Sequence, residues 1–293
     1  QARDDVGPLV DAGATVGRFA GPIAGGVAHL DGALLALPCN GGRYHIHGGE
    51  QGFSRRLWNA ETRTTPEGPA VRFSRLSPDG EEGYPGNLAA TVTYTLVDGG
   101  LRLDYEAQTD RTTLCNLTNH TYFNLAGHDS GSVLNHRVQI DADTFNPNDA
   151  DIIATGLVAP VRGTPFDFTA ARAIGERIEA DDEQIRFGQG YDHNFLLPPD
   201  SRGSLRRAAV VTEPGSGRRL EMWTTEPGFQ FYTGNGLPAG ERGKNGAMYG
   251  KWQGFCLEAQ RAPNWPERPG VAAAVLRPGA LYRQTTLYRF SCT

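Results

Sequence analysis

With 293 residues, 39% of them hydrophobic and 21% charged, the chain can bury a sizeable core and is not a disordered segment. A formal net charge of −5 and the lack of a long basic run argue against a surface built for nucleic acid or anionic membrane. No apolar stretch approaches the ~20 residues needed to span a bilayer.

The 38 glycines and 19 prolines are spread throughout, which suits many short strands joined by turns. In chain order, the first polar cluster is Arg43–Phe53, RYHIHGGEQGF. At i and i+2 of a strand His45 and His47 would share a face, which invites a metal pair. No third ligand follows at a recognisable spacing, so His45 reads better as a polar strand end beside a glycine turn. Val71–Leu76 is a strand candidate. Leu88, Ala90, Val92, Tyr94 and Leu96 then alternate with Ala89 and three threonines. Across the Asp98-Gly99-Gly100 turn, Leu101, Leu103 and Tyr105 alternate with charged residues, which predicts a β-hairpin with one buried face.

The stretch Leu114–Gly127, LCNLTNHTYFNLAG, is apolar at both ends and carries Asn116, Asn119, His120 and Asn124 between them. Buried amides and imidazoles need partners, so the asparagines suggest an imidazole fixed in one tautomer; the alternative is a satisfied core histidine. His136–Ile140 reads as a strand, and Ala170–Ala180 has helical composition weakened by Gly175. In Gly190–Phe195 the triplet Asp192-His193-Asn194 interrupts an apolar run, as a site or a capped turn would. Further strands are expected over Ala208–Thr212, Leu220–Thr225, Phe229–Thr233, Phe255–Ala259 and Tyr282–Phe290. Gln230 lies in an aromatic segment, GFQFYTGN, of the kind that stacks on sugar rings or fills a core. Glu258, in GFCLEAQ, stands on a short apolar strand where burial raises a carboxyl pKa toward useful basicity; a buried ion pair is the structural alternative.

The simplest fold is one all-β domain over residues 1–293, a large sandwich. Cys39, Cys115, Cys256 and Cys292 form no CxxC pair, which excludes a zinc ribbon and fits a reducing, cytoplasmic compartment, although four cysteines could also make two bridges. The chain opens on Gln1, without an initiator Met or signal-like segment, as a trimmed or processed chain would.

Six motifs in order, HGG…GF, SPDGEEGYPG, NLTNHTYFNLAG, GYDHNF, PGFQFYTGN and GFCLEAQ, closely resemble the aldose 1-epimerase (galactose mutarotase) family, from about Gly13 to the C-terminus. The resemblance implies a galactose-mutarotase-like supersandwich with a monosaccharide in an open cleft. It implies Glu258 as the base that takes the anomeric hydroxyl proton and His120 as the acid that protonates the ring oxygen. It also implies sugar contacts from His47, Asp192 and Gln230, and chemistry that needs neither metal nor cofactor. Two departures stand out. Relatives carry Asn-Arg in a GRxANRI-like segment, where this chain has Gly21 and Pro22, and Tyr44 replaces an asparagine before the HGG motif. Arg43 is the candidate for a substitute cation. Only sixteen residues precede Gly17, so N-terminal strands of the family are expected to be missing, leaving a sheet edge bare, covered by a partner, or natively short. A monomer and a homodimer both fit. The rival functions are a non-catalytic carbohydrate-binding protein and a divergent isomerase or cyclase acting on a non-sugar lactol.

Overall fold

The computed structural model describes residues 11–199, 203–264 and 274–292. Two antiparallel sheets face one another. The larger has nine strands in the order Arg172–Ala173, Arg137–Ile140, Arg206–Thr212, Arg218–Thr224, Tyr282–Cys292, Gly100–Thr109, Leu88–Val97, Gly68–Ser77 and Asn59–Thr65. The smaller has six, in the order Tyr122–Phe123, Phe255–Gln260, Gly228–Tyr232, Asp192–Leu196, Thr144–Phe145 and Ala159–Pro160. Every strand expected between Val71–Leu76 and Tyr282–Phe290 is present.

The core lies between the sheets, and strand alternation decides what enters it. Phe195, Phe229, Phe231, Phe255 and Leu257 of the smaller sheet are buried with Leu103, Tyr105, Val138, Val211, Leu220 and Met222 of the larger. The aromatic rings stack, Phe195 on Phe229 with ring centres 5.9 Å apart and Tyr191 on Phe231 at 5.6 Å. Polar bolts cross the layer: Tyr288 Oη donates to the Leu257 carbonyl (2.9 Å) and Gln284 Nε2 to that of Ala259 (2.9 Å). Because successive side chains point to opposite faces, the same strands send Asp192, Gln230, Tyr232, Glu258 and Gln260 out of the opposite face.

A second, smaller core of Phe19, Ile23, Leu30, Leu37, Tyr84 and Leu114 forms where the segments before residue 86 fold over the sandwich. The SPDGEEGYPG motif is clamped there by Arg18, only 1% exposed. Its guanidinium donates to Ser77 Oγ (2.8 Å) and to the carbonyls of Ser77 (2.9 Å), Pro78 (2.9 Å) and Pro85 (3.1 Å).

Two expectations are corrected. Ala170–Ala180 is not a helix: Arg172–Ala173 pairs with Arg137–Val138 and only Ile174–Glu176 makes a 3₁₀ turn. An α-helix forms in the next segment, Glu183–Gly188, capped by the Asp182 carboxylate accepting from the amides of Gln184 (2.8 Å) and Ile185 (3.3 Å). At six residues it is too short to show a helical period. The expected hairpin forms from Leu88–Val97 and Gly100–Thr109, with Leu96 opposite Leu101, but its inner face is covered only in part. Leu88, Ala90 and Val92 are buried, whereas Leu96 is 59% exposed and lines an open groove of about 550 Å³ with Val71, Tyr94 and Leu101. The alternative of two bridges is not taken up: Cys39, Cys115, Cys256 and Cys292 are all free thiols. Among the described residues no helix is long and apolar enough to cross a membrane.

Candidate active site

The outer face of the smaller sheet forms the floor of a cavity of about 290 Å³, near the small end of ligand pockets (roughly 300–1,000 Å³). Sheet register sets the floor. Gln230 is directly opposite Glu258 on one side and Asn194 on the other, and Asp192 is opposite Tyr232. Gln230 Nε2 donates to the carboxylate of Asp192 (2.7 Å), a diagonal cross-strand contact. Gln260, two residues beyond Glu258, continues the same face and also lines the cavity.

The walls are made by loops. His120 follows the short strand Thr118–Asn119, which pairs with Thr15–Val16, and its backbone amide donates to the Ala14 carbonyl (3.0 Å). Its ring stacks on Tyr122 (centres 5.1 Å apart, planes 21°), stands edge-on to His47 (5.4 Å), and places Nδ1 3.5 Å from Cys256 Sγ. Nε2 of His120 lies 3.7 Å from Glu258 Oε1, and both residues are almost wholly buried at 6% and 3% exposure. His47 reaches the cavity from a left-handed backbone conformation, φ +53°. The Gly21 amide donates to its Nδ1 (3.2 Å), which leaves the proton on Nε2.

Burial governs the titration of every one of these groups. It drives the His120 pKa down to about 3, with the neighbouring His47 adding to the effect. It holds His47 below the usual imidazole value. Burial raises Glu258 well above an ordinary carboxyl, reinforced by the charges of Asp192 and Asp11. Asp192 is lifted to about 6 by burial, partly opposed by the Gln230 hydrogen bond. His120 and Glu258 are at ion-pair distance, yet desolvation acts against both charges and favours the neutral imidazole and the protonated carboxyl. Cys256 is likewise kept a thiol by burial.

Sequence reasoning and structure agree on which residues converge: Glu258, His120, His47, Asp192 and Gln230 all line this one cavity. Arg43 does not. Its side chain is 85% exposed and its guanidinium faces Asp151 at 3.6 Å, while its neighbour Tyr44 turns into the cavity. His45 and His47 do not share a face, because the strand Tyr44–Ile46 ends before the left-handed turn at His47. His45 is buried, its Nδ1 donating to the Pro38 carbonyl (2.7 Å) and its Nε2 accepting from Tyr84 Oη (2.6 Å). The asparagines around His120 do not touch its ring. Asn116 ties the loops at Ala20 and Arg261, Asn119 binds Tyr94 and Thr121, and Asn124 bonds the Gly131 and Gln253 carbonyls. They fix the path of the loop, and through it the imidazole. His120, Cys256 and Glu258 present ligand atoms within 4.8 Å of one another. The thiol and the carboxyl, however, face opposite ring nitrogens, so they do not converge on one lone pair. Asp11, Tyr232 and Gln260 were not expected in the site. Tyr232 and Gln260 are two residues from Gln230 and Glu258, so the period-2 rule could have found them.

An antiparallel supersandwich whose outer face carries carboxyls, amides and neutral imidazoles around a pyranose-sized cavity defines a sugar-converting enzyme. The chain belongs to the aldose 1-epimerase family, whose model matches residues 5–289. It is an isomerase that interconverts the anomers of an aldose. It is 46% identical over 279 residues to the galactose mutarotase of Sus scrofa, a match covering 95% of this chain and 78% of that protein. It is 39% identical over 281 residues to the aldose 1-epimerase of Escherichia coli K12, covering 95% and 79%. Among solved structures, an aldose epimerase homologue from C. elegans superposes with a TM-score of 0.86 at 29% identity, covering 100% of this chain and 85% of that one. The galactose 1-epimerase of Lactobacillus acidophilus NCFM gives 0.84 at 31%, covering 96% and 80%.

Proposed function

We propose that Glu258 and His120 are the acid–base pair of the anomer interconversion and that the substrate is a galactose- or glucose-type hexose. The observation that carries this reading is the 3.7 Å separation of Glu258 Oε1, on the floor of one polar cavity, and His120 Nε2, on its wall. The pair holds one proton to share. Moving it from the carboxyl to the imidazole creates a carboxylate base and an imidazolium acid together, and their mutual attraction offsets part of the desolvation of each. Glu258 then removes the proton from the anomeric hydroxyl while His120 delivers its proton to the ring oxygen, and the ring carbon–oxygen bond breaks. The open-chain aldehyde leaves Glu258 protonated and His120 neutral, which is the resting distribution of the pair. Rotation about the C1–C2 bond presents the other carbonyl face, and the same transfers in reverse close the ring as the other anomer.

Asp192, held by Gln230, accepts hydrogen bonds from sugar hydroxyls, and the Nε2–H of His47 donates to a sugar oxygen. The hexose assignment leans on the names of the relatives, which are galactose mutarotases and an aldose 1-epimerase. Two exposed free thiols, Cys39 and Cys292, suit a reducing, cytoplasmic setting. Polarimetry on freshly dissolved α-galactose and α-glucose tests the reading. Acceleration by the wild type that Glu258→Gln removes supports it. Acceleration that survives the substitution assigns the base elsewhere.

A further inference from the structure

Gln260 is 1% exposed, yet among the described residues nothing donates a hydrogen bond to its carboxamide oxygen. A buried amide oxygen without a partner keeps its full desolvation cost, so folded proteins seldom retain one that nothing will ever engage. Gln260 is on the strand that carries Glu258, two residues further on and pointing the same way, and its side chain lines the cavity. The wall beside it is Gly21 and Pro22, which offer no side-chain hydrogen-bonding group. A Cβ built on Gly21 would lie 3.6 Å from Gln260 Nε2 and 2.7 Å from Pro263 Cβ. Any larger residue there would collide with Pro263 beside the amide. The missing Cβ therefore leaves the Nε2 end of the Gln260 carboxamide facing the space that a side chain at position 21 would take.

We propose that Gln260 binds a hydroxyl of the sugar directly, supplying from the floor of the cavity a contact that the wall at Gly21-Pro22 cannot make. This inference rests on the reading of the cavity as the sugar site. A carboxamide has the right chemistry, because it offers one acceptor and two donors. It can take a hydroxyl proton, give one, or bridge neighbouring hydroxyls. With the amide engaged, the orphaned oxygen is satisfied in the complex and unsatisfied in the free protein, which favours binding of a polyhydroxylated ligand over one lacking that hydroxyl.

The test is Gln260→Met, which keeps the length of the side chain and removes the amide, assayed by polarimetry on galactose and on its monodeoxy derivatives. KM for galactose is expected to rise about three- to ten-fold, the loss of one neutral hydrogen bond, with kcat changed less than about twofold. One monodeoxy sugar, the one lacking the contacted hydroxyl, should be turned over equally well by variant and wild type. The melting temperature should hold or rise, because an unpaired buried polar atom has been removed. An unchanged KM, a rise of the same size for every deoxy sugar, or a fall in melting temperature would each overturn the assignment. The outcome separates from failure of the site reading itself, since in that case Glu258→Gln would leave the wild-type acceleration intact.

Discussion

The two halves of the proposed acid–base pair are held in different ways. Glu258 sits in a central strand, hydrogen-bonded through the backbone to the Gly228–Tyr232 strand on one side and at Cys256 to Tyr122 on the other, with Phe255, Leu257 and Ala259 anchored in the core beneath it. His120 and His47 stand on turns. One is held by a two-residue strand and by side chains that bolt neighbouring loops together, the other by a left-handed residue beside two glycines. Precision in the carboxyl comes from sheet register, shared with the whole sandwich. Precision in the imidazoles comes from a few local hydrogen bonds and from places where no side chain fits. Disturbing the floor should therefore change chemistry while sparing the fold, and disturbing the walls should cost both.

Substitutions sharpen that contrast. Glu258→Gln should lower kcat/KM by ~10²–10⁴-fold, up to about 5 kcal/mol of barrier, with an unchanged or higher melting temperature because a buried ionisable group is gone. A pH–rate profile of the wild type should fall on its alkaline side as the pair loses its one proton, at a pH above the ordinary carboxyl range in keeping with the raised Glu258 value. His120→Asn should cost about 10²-fold in kcat, with a smaller effect on KM. In the walls, Gly48→Ala should destabilise by about 3 kcal/mol and lower activity with it, measured by denaturant unfolding alongside polarimetry. Gly48 has φ +85°, and a Cβ there would collide with the Gly17 carbonyl.

Asp192→Asn, on the floor, should weaken sugar binding yet stabilise the protein. The Asp192 pKa rises from 3.8 to about 6 on folding, so between those values the folded chain holds a proton that the unfolded chain has released. Wild-type stability accordingly falls as pH rises through that window. The Asn variant should be more stable by roughly 1–3 kcal/mol above pH 6, and the gain should vanish below pH 4. The smallest effect belongs to Arg43→Ala. An exposed guanidinium 3.6 Å from an exposed carboxylate contributes little, and kcat/KM should stay within about twofold of wild type. A larger loss would bring Arg43 back as the substitute cation.

Much of the fold and of the candidate site is legible in the order of the residues. Alternation marks the strands, including both arms of the Leu88–Thr109 hairpin, because a half-buried strand has no other way to place its apolar side chains. A carboxyl embedded in FCLEAQ is suspect because burying it is costly unless it does something. The failures share one cause: partners in space are not neighbours in the chain. Leu96 alternates correctly yet is exposed, because alternation defines a face and not what covers it. The asparagines flank His120 in sequence but bond to loops up to 145 residues away, as Asn116 does with Arg261. His45 and His47, two residues apart, end in different surroundings because the backbone turns left-handed between them and the glycines.

Sequence alone determined the architecture, the family and the chemical types of the site residues, since periodicity and long motifs are local properties of a chain. Tertiary structure decided which of those residues share a cavity, that Arg43 is not among them, and that Gln260 is. Those outcomes depend on strand register and on where a missing Cβ leaves room, and neither is written in any one segment.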